Sequence, residues 1–534
     1  MEEKKLILII YADQAYIRSI DDSVDFSDRN EILFSAITGT YLPLLNMMRS
    51  LETFRIPFKL GMVLSAPLCS LLEDPQVQKQ YIDFLDRRIA LGQAETERCR
   101  DNPALLEQAE ECLESARRDK ADFCDTYSQN LVGAFREMAR KGFLELMPTC
   151  ATYAYLPHYM EREEMLNAQI ETGLYAQRQF FGEIGEGFWL PFQGYAGGIE
   201  RNLRAYGLNY TVVNPRSLLF VKEPVRTGIF APVRTRNSLV LFGSDPVTSE
   251  ELCGKDAYRF NAVYRAQEKD IGFELGAESL SCMMGKESGR ISTGYRYWAN
   301  GSDGAEQGGK RRVYSRTAAM EQAEKDAERF LREKISRLDE AATLMEKSPP
   351  CLTCVIPAEV LGQTWHEGVR WLEQVIRKVS QTPGAELTLC RDMLQNQFTL
   401  PKIIPYPCAS NGTGFGEDLL DKSNSWMQRY LRISGERMIS LTERFPSETG
   451  LKARLLNLGA KELLLAQSGA WPMMMHEGKL PDYAEESFTN SIINFNRVFD
   501  ALASNTVSTE WLTGLEKAHS LFPWMNYRIF SSKR

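Results

Sequence analysis

The segment GEGFWLPFQGYAGGIE, residues 185–200, reads as a buried strand end that runs into a tight loop and then a helix. Gly187 to Leu190 form a short apolar run carrying Trp189, which we read as an exposed aromatic at the strand edge. Pro191 ends the run, because proline cannot donate to a sheet ladder. Gly194, Tyr195, Gly197 and Gly198 then build the turn into the helix. A barrel enzyme often holds a reactive carboxylate on such a rim. This loop offers Phe192 and Gln193 instead.

Six more runs of the same kind flank this one: 4–11 (KKLILIIY), 57–64 (PFKLGMVL), 143–148 (FLELMP), 209–214 (NYTVVN), 238–243 (SLVLFG) and 351–356 (CLTCVI). With 187–191 they make seven. Short continuous apolar runs are what strands buried on both faces look like. Helical stretches between them imply an α/β class with a parallel sheet. Periodicity alone leaves an open doubly wound sheet and a closed barrel both open. Two insertions interrupt the alternation. Residues 74–141 carry apolar residues every three or four, which predicts a packed hairpin of helices with its Glu and Arg clusters on a solvated face. Residues 249–348 form a second excursion with a Gly-rich loop, ANGSDGAEQGGKRR, at 299–312. No Gly-Lys-Ser/Thr follows that loop, so it reads as a surface loop, not a phosphate cradle. After QTPGAE at 381–386 the pattern turns helical, with helices expected near 385–396, 424–445, 450–468, 481–503 and 507–519. The expected division is therefore 1–380 for the α/β part and 381–534 for an all-α part.

The net charge of −8 gives no basic face for nucleic acid. Lys310 to Arg312 and the pair Lys533 and Arg534 read as solvated loop and tail. No run of 18 apolar residues exists, so no membrane-spanning helix is expected. The N-terminal MEEKKLILII starts with acids and reads as a buried strand, not a signal peptide. Eleven cysteines without a secretion signal point to reduced thiols in the cytoplasm. Cys351 and Cys354 have metal spacing but lie in a strand without a second pair, and His158, His366, His476 and His519 are scattered. No metal and no organic cofactor is expected.

At the C-terminal ends of the expected strands lie Tyr11-Ala12-Asp13, Ala151-Thr152-Tyr153, Trp189 to Tyr195 and Pro357-Ala358-Glu359, with Trp365 and Trp371 just beyond. Several aromatics with few charges suit a sugar, whose apolar face stacks on a ring. The same residues would equally serve to pack a domain interface.

In these residues the sequence resembles glycoside hydrolase family 57, and within it the 1,4-α-glucan branching enzymes. The family's strand-four motif Trp-Leu-Pro-Glu-Cys-Ala/Gly-Tyr stands here as Trp189-Leu190-Pro191-Phe192-Gln193-Gly194-Tyr195. Its strand-seven motif Tyr-Asp-x-Glu-Leu-Phe-Gly-His-Trp-Trp stands as Ile356-Pro357-Ala358-Glu359-Val360-Leu361-Gly362-Gln363-Thr364-Trp365, followed by His366-Glu367-Gly368. The stretches AKELLLAQSGAWPMMM (460–475), YAEESFTNSIINFNRVFD and FPWMNYRIF are similar to the family's helical C-terminal domain. The resemblance implies a distorted (β/α)7 barrel with inserted helical segments, followed by an all-α domain over a glucan cleft, and no cofactor.

It also implies losses. The nucleophile position holds Phe192 and the acid/base position Pro357. The first motif, His-x-His-x-Pro, reads Tyr11-Ala12-Asp13-Gln14-Ala15, the strand-three Thr-His pair reads Thr152-Tyr153, and the Asp-x-His after strand five reads Asn214-Pro215-Arg216. Asn411 stands where a tryptophan is expected. A retaining glycosidase needs two carboxyls roughly 5–5.5 Å apart, and neither Phe nor Pro can supply one. Three readings follow. The first is a catalytically inactive homologue that binds α-1,4-glucan, glycogen or a malto-oligosaccharide through Tyr11, Asp13, Tyr153, Trp189, Gln193, Tyr195, Glu359, Trp365 and Trp471. The second is a structural or regulatory partner of a glycogen-metabolism protein without glucan affinity. The third is an active branching or transglycosylating enzyme with Asp13 and Glu359 as a substitute carboxyl pair.

Overall fold

A computed structural model describes residues 3–18, 27–283, 290–301, 311–345 and 349–532. The stretch 302–310 of the Gly-rich loop, with Lys310, and the terminal Lys533 and Arg534 lie outside the described residues. Ten strands are described: β1 Lys4–Ala12, β2 Leu60–Leu64, β3 Leu144–Leu146, β4 Gly187–Phe188, β5 Tyr210–Val213, β6 Val233–Thr235, β7 Val240–Gly243, β8 Cys351–Pro357, β9 Ala385–Leu387 and β10 Lys402–Ile403. One sheet runs β3-β2-β1-β8 and the other β10-β6-β7-β5-β4. Two isolated parallel bridges, Thr149 to Trp189 and Ser244 to Thr353, join the ends of the two sheets. The ring β1-β2-β3-β4-β5-β7-β8 is therefore a closed barrel of seven parallel strands, which settles the choice that the apolar runs left open. The antiparallel β6 and the short β10 extend one sheet at its edge, and β9 pairs with the first residues of β1.

The period of two decides which side chains fill the barrel. Ile7 and Ile9 of β1 point inward with Val63, Val212, Val240, Phe242 and Val355. Leu6, Leu8 and Ile10 point outward to the surrounding helices. The same alternation splits the Cys pair. Cys351 faces the barrel interior and Cys354 the outer layer, so the two thiols cannot converge on one ion.

The insertion after β2 is a helical hairpin, Pro75–Arg98 and Pro103–Ala121, followed by Leu131–Arg140. Each long helix starts at a side-chain cap followed by proline. Asp74 caps the amides of Gln76 and Val77 ahead of Pro75, and Asn102 caps Leu105 ahead of Pro103. One expectation needs correction: not all of the hairpin's Arg and Glu residues are solvated. Arg88 and Glu95 are buried. Arg88 Nε donates to the Thr293 carbonyl at 3.0 Å, and the Tyr297 hydroxyl donates to Glu95 at 2.9 Å. The second excursion docks on this face.

Helix Arg316–Ala342 carries the charge network that ties that excursion to the barrel. Lys334 is fully buried, and its Nζ lies 2.9 Å from Asp245 and 2.5 Å from Glu251. Arg337 reaches the other oxygen of Asp245 at 2.5 Å. Asp245 also caps helix Pro246–Cys253, just past the end of β7. Burial works against its carboxylate, but Lys334, Thr248 and Arg337 outweigh that and hold its pKa below the ordinary range.

The segment 385–396, expected as a helix, is instead β9 followed by turns and the short 3-10 turn Arg391–Met393. Helices Met427–Arg444, Gly450–Ala466, Ala470–Glu477, Pro481–Ser504 and Thr509–Ala518 form the C-terminal part. A buried polar network fastens them to the barrel. Thr152 Oγ1 donates to the Leu464 carbonyl at 2.7 Å, and Gln169 Nε2 donates to Thr152 Oγ1 at 3.0 Å and to Gln467 Oε1 at 2.8 Å. Among the described residues no helix is long and apolar enough to cross a membrane.

Removing one member of a buried ion network strands its partners. Lys334→Met is expected to lower unfolding free energy by about 3–5 kcal/mol in urea denaturation, whereas a change at the exposed pair Arg100–Glu97 is expected to cost under about 1 kcal/mol.

Candidate active site

A cavity of about 360 Å³ opens at the C-terminal ends of the barrel strands. Its floor is aromatic. The Tyr11 ring, at the end of β1, stacks on Trp189 with centroids 4.9 Å apart and planes 22° apart. Trp189 is only 1% exposed, so it is not the exposed platform its position in the sequence suggests. Its Nε1 donates to the Tyr153 hydroxyl at 2.9 Å. Tyr11 therefore turns the usable ring toward the cavity, and Trp189 braces it.

Three wall residues carry strained or unusual backbone. Tyr153, Phe192 and Gln193 have φ of 52°, 56° and 49°, the left-handed region that non-glycine residues rarely enter. Phe192 meets Tyr153 and Tyr155 edge-on at 5.4 and 6.3 Å. Its carbonyl accepts both the amide of Ser410 at 2.8 Å and its hydroxyl at 2.7 Å. The C-terminal part reaches the same spot. A Cβ on Gly469 would lie 2.7 Å from the Phe192 ring and 2.4 Å from the Tyr153 carbonyl, so this approach requires glycine.

The polar wall is sparse. Gln193 Oε1 accepts from Ser244 Oγ at 3.3 Å, while Gln193 Nε2 has no hydrogen-bond partner among the described residues. Asp13 Oδ1 is likewise buried without a partner. Burial pushes the Asp13 carboxyl up to about 6, against hydrogen bonds from the Ser65 side chain and the Gln14 amide. Pro357, Glu359 and Gln363, from the end of β8 and its loop, form the opposite wall, and Asn411, Met473 and Glu477 close the rim.

Of the nine candidate binding residues, six line this cavity: Tyr11, Asp13, Tyr153, Trp189, Gln193 and Glu359. Three are placed elsewhere. Tyr195 is buried, with its hydroxyl donating to Glu200 at 3.0 Å. Trp365 packs in the core against Tyr264 and Trp371 at 5.2 and 5.6 Å. Trp471 is buried in the C-terminal part and donates from Nε1 to the Leu465 carbonyl at 2.8 Å. Tyr41, Met473 and Glu477 line the cavity without having been singled out; Met473 and Glu477 sit in a helix whose docking over the barrel no local pattern reveals.

The chain belongs to glycosyl hydrolase family 57, whose model matches residues 7–407. A second model, the C-terminal region of 1,4-alpha-glucan branching enzyme, matches residues 431–530. The chain is 23% identical over 501 residues to the 1,4-alpha-glucan branching enzyme TK1436 of Thermococcus kodakarensis, covering 88% of this chain and 70% of that one. Among solved structures it is similar to the alpha-amylase AmyC of Thermotoga maritima, with 27% identity, a TM-score of 0.91 and 99% of each chain covered. The branching enzyme of Pyrococcus horikoshii, at 20% identity and a TM-score of 0.87 over 100% of this chain and 98% of that one, shares the fold.

The raised Asp13 pKa has a sign that can be checked. Well below pH 4 the carboxyl is protonated in both folded and unfolded states and costs nothing. Between about pH 4 and 6 the unfolded state ionises while the buried carboxyl keeps its proton, so stability falls across that window and levels off above it. Asp13→Asn is therefore expected to raise the melting temperature at pH 8, by the equivalent of about 3 kcal/mol, and to leave it near that of the unaltered protein at pH 4.

Proposed function

We propose that this protein is a catalytically inactive member of family 57 that binds α-1,4-glucan, as a glycogen-type chain or a malto-oligosaccharide, at the mouth of its barrel. The observation that carries the reading is the pair of unpartnered polar atoms on an aromatic wall. Asp13 Oδ1 and Gln193 Nε2 are an acceptor and a donor without partners among the described residues, and both residues line the cavity beside Tyr11 and Tyr153. A sugar hydroxyl both donates and accepts, so it satisfies such a pair, while the pyranose face stacks on the ring. A cavity of about 360 Å³ is within the size range of small-molecule sites.

Inactivity rests on the two motif positions. Phe192 and Pro357 both line the cavity, at the ends of β4 and β8, and neither can form a glycosyl ester or move a proton. Relatives named as branching enzymes and as an alpha-amylase make glucan the natural ligand class. Eleven cysteines, none in a disulfide, suit the reducing cytoplasm where such glucans are stored. A second reading has one observation in its favour. Asp13 and Glu359 line the same cavity, and a carboxyl with a pKa of about 6 suits a general acid.

Calorimetric titration with maltoheptaose tests the binding. Saturable binding is expected, weakened at least about tenfold, or 1.4 kcal/mol, by Tyr11→Ala. Absence of binding to the unaltered protein overturns the proposal.

A further inference from the structure

A second cavity, of about 340 Å³, lies between the inserted helical hairpin and the excursion that follows β7. Arg88, Arg265 and Arg296 all line it. Arginine stays charged at any physiological pH, so three guanidinium groups around one void are costly unless anions meet them. The protein meets them only in part. Arg88 Nε donates to the Thr293 carbonyl, and its Nη1 lies 3.5 Å from Asp119. Arg296 donates to Gln267 at 2.5 Å and to Ser292 at 2.9 Å, and its Nε stands 3.4 Å from Asp270, beyond a good hydrogen bond. Arg265, only 6% exposed, stacks 4.2 Å over the Tyr314 ring, and its Nη2 stands 3.5 Å from Glu111, beyond a good hydrogen bond. Among the described residues, Arg265 Nε and Nη2 and Arg296 Nε have no hydrogen-bond partner.

The carboxyls nearby do not satisfy these N–H groups. Asp270 is already engaged, accepting from the amides of Gly272, Thr293 and Gly294 and from two hydroxyls. Glu367 accepts the backbone amide of Arg265 at 3.2 Å. Glu31 and Asp119 line the void, and burial raises the pKa of both, Asp119 to about 6. The carboxyls are thus held by other groups or stand at ion-pair distance, and Arg265 Nε and Nη2 and Arg296 Nε make no hydrogen bond to them. The remaining lining is rich in hydroxyls, with Ser35, Thr38 and Ser115.

We propose that this cavity binds a small phosphate monoester of a hydroxylated compound. Arg265 and Arg296 hold the phosphoryl oxygens through their unpartnered N–H groups, a geometry suited to guanidinium. Ser35 and Thr38 take the hydroxyls of the body. The volume exceeds what a bare phosphate fills. The site is separate from the barrel mouth but shares a wall with it. Gln363, in the loop after β8, lines both cavities, and the adjacent Gly362 packs against the backbone of Gly39.

The test is calorimetric titration of the full chain with glucose 6-phosphate, with glucose as the uncharged control. Saturable binding of the ester is expected at concentrations where glucose shows none. Arg296→Gln is expected to weaken it at least tenfold, Asp119→Asn to tighten it about threefold by removing a lining charge, and Tyr11→Ala to leave it unchanged. If Arg296→Gln does not fold, as judged by circular dichroism, the gain with Asp119→Asn decides alone. The proposal is overturned by no binding, by equal binding of glucose, by loss of binding in Tyr11→Ala, or by saturation with inorganic phosphate but not with the ester.

Discussion

The molecule depends on one short contact between β3 and β4. No ladder joins those strands. The Trp189 amide donates to the Pro148 carbonyl at 2.8 Å, and Thr149 Oγ1 donates to the Trp189 carbonyl at 2.9 Å. This single bridge closes the seven-stranded ring on that side and fixes the indole. With the indole fixed, Tyr153 has a donor to accept and Tyr11 a ring to lie on. Helix Glu163–Phe181 covers the bridge from outside, and it can do so because residue 173 is glycine. A Cβ there would stand 2.1 Å from the Thr149 carbonyl. The cavity floor is thus the inner surface of the same contact that closes the barrel.

From that contact the strain at the cavity wall follows. Non-glycine residues with positive φ cost about 1–3 kcal/mol each and persist only where their surroundings over-determine them. Around Phe192 and Gln193 the surroundings are Ser410 on the Phe192 carbonyl, Gly469 against its ring and Ser244 on the Gln193 amide. Two of these three come from the chain beyond residue 400. The C-terminal part is therefore structural material of the cavity, not an appendage, and the Thr152–Gln169–Gln467 network holds it in register. An active-site loop of this shape serves chemistry when a carboxylate stands on it. Here a phenyl ring stands on it, packed against Tyr153 and Tyr155.

Much of this was legible in the sequence because the barrel strands are buried on both faces. Each of the seven apolar runs contains one barrel strand, and the helices after residue 424 follow their apolar period. The strands β6, β9 and β10 were not legible. They hold two or three residues, and β9 lies in a segment, AELTLCRDML, that reads as a helix until the edge of β1 captures it. The aromatic residues were legible as a class but not in direction. Trp365 and Trp471 follow strand ends or motif stretches as readily as Tyr11 does, yet the period of the surrounding helices turns them into cores. Arg88, Arg265 and Arg296 lie up to 208 positions apart, and on its own helix Arg88 looks like any solvated arginine. Only the docking of the two insertions brings them to one cavity.

The central claim is that the barrel mouth keeps its grip on glucan without its chemistry. The most direct measurement is prolonged incubation of the purified protein with maltoheptaose at pH 5 to 8, with chromatographic analysis of every oligosaccharide formed. The account predicts that the maltoheptaose is recovered unchanged, with no shorter, longer or branched product above a protein-free control. Products that appear with the protein and disappear with Asp13→Asn or Glu359→Gln would contradict it and establish a working carboxyl pair at this site.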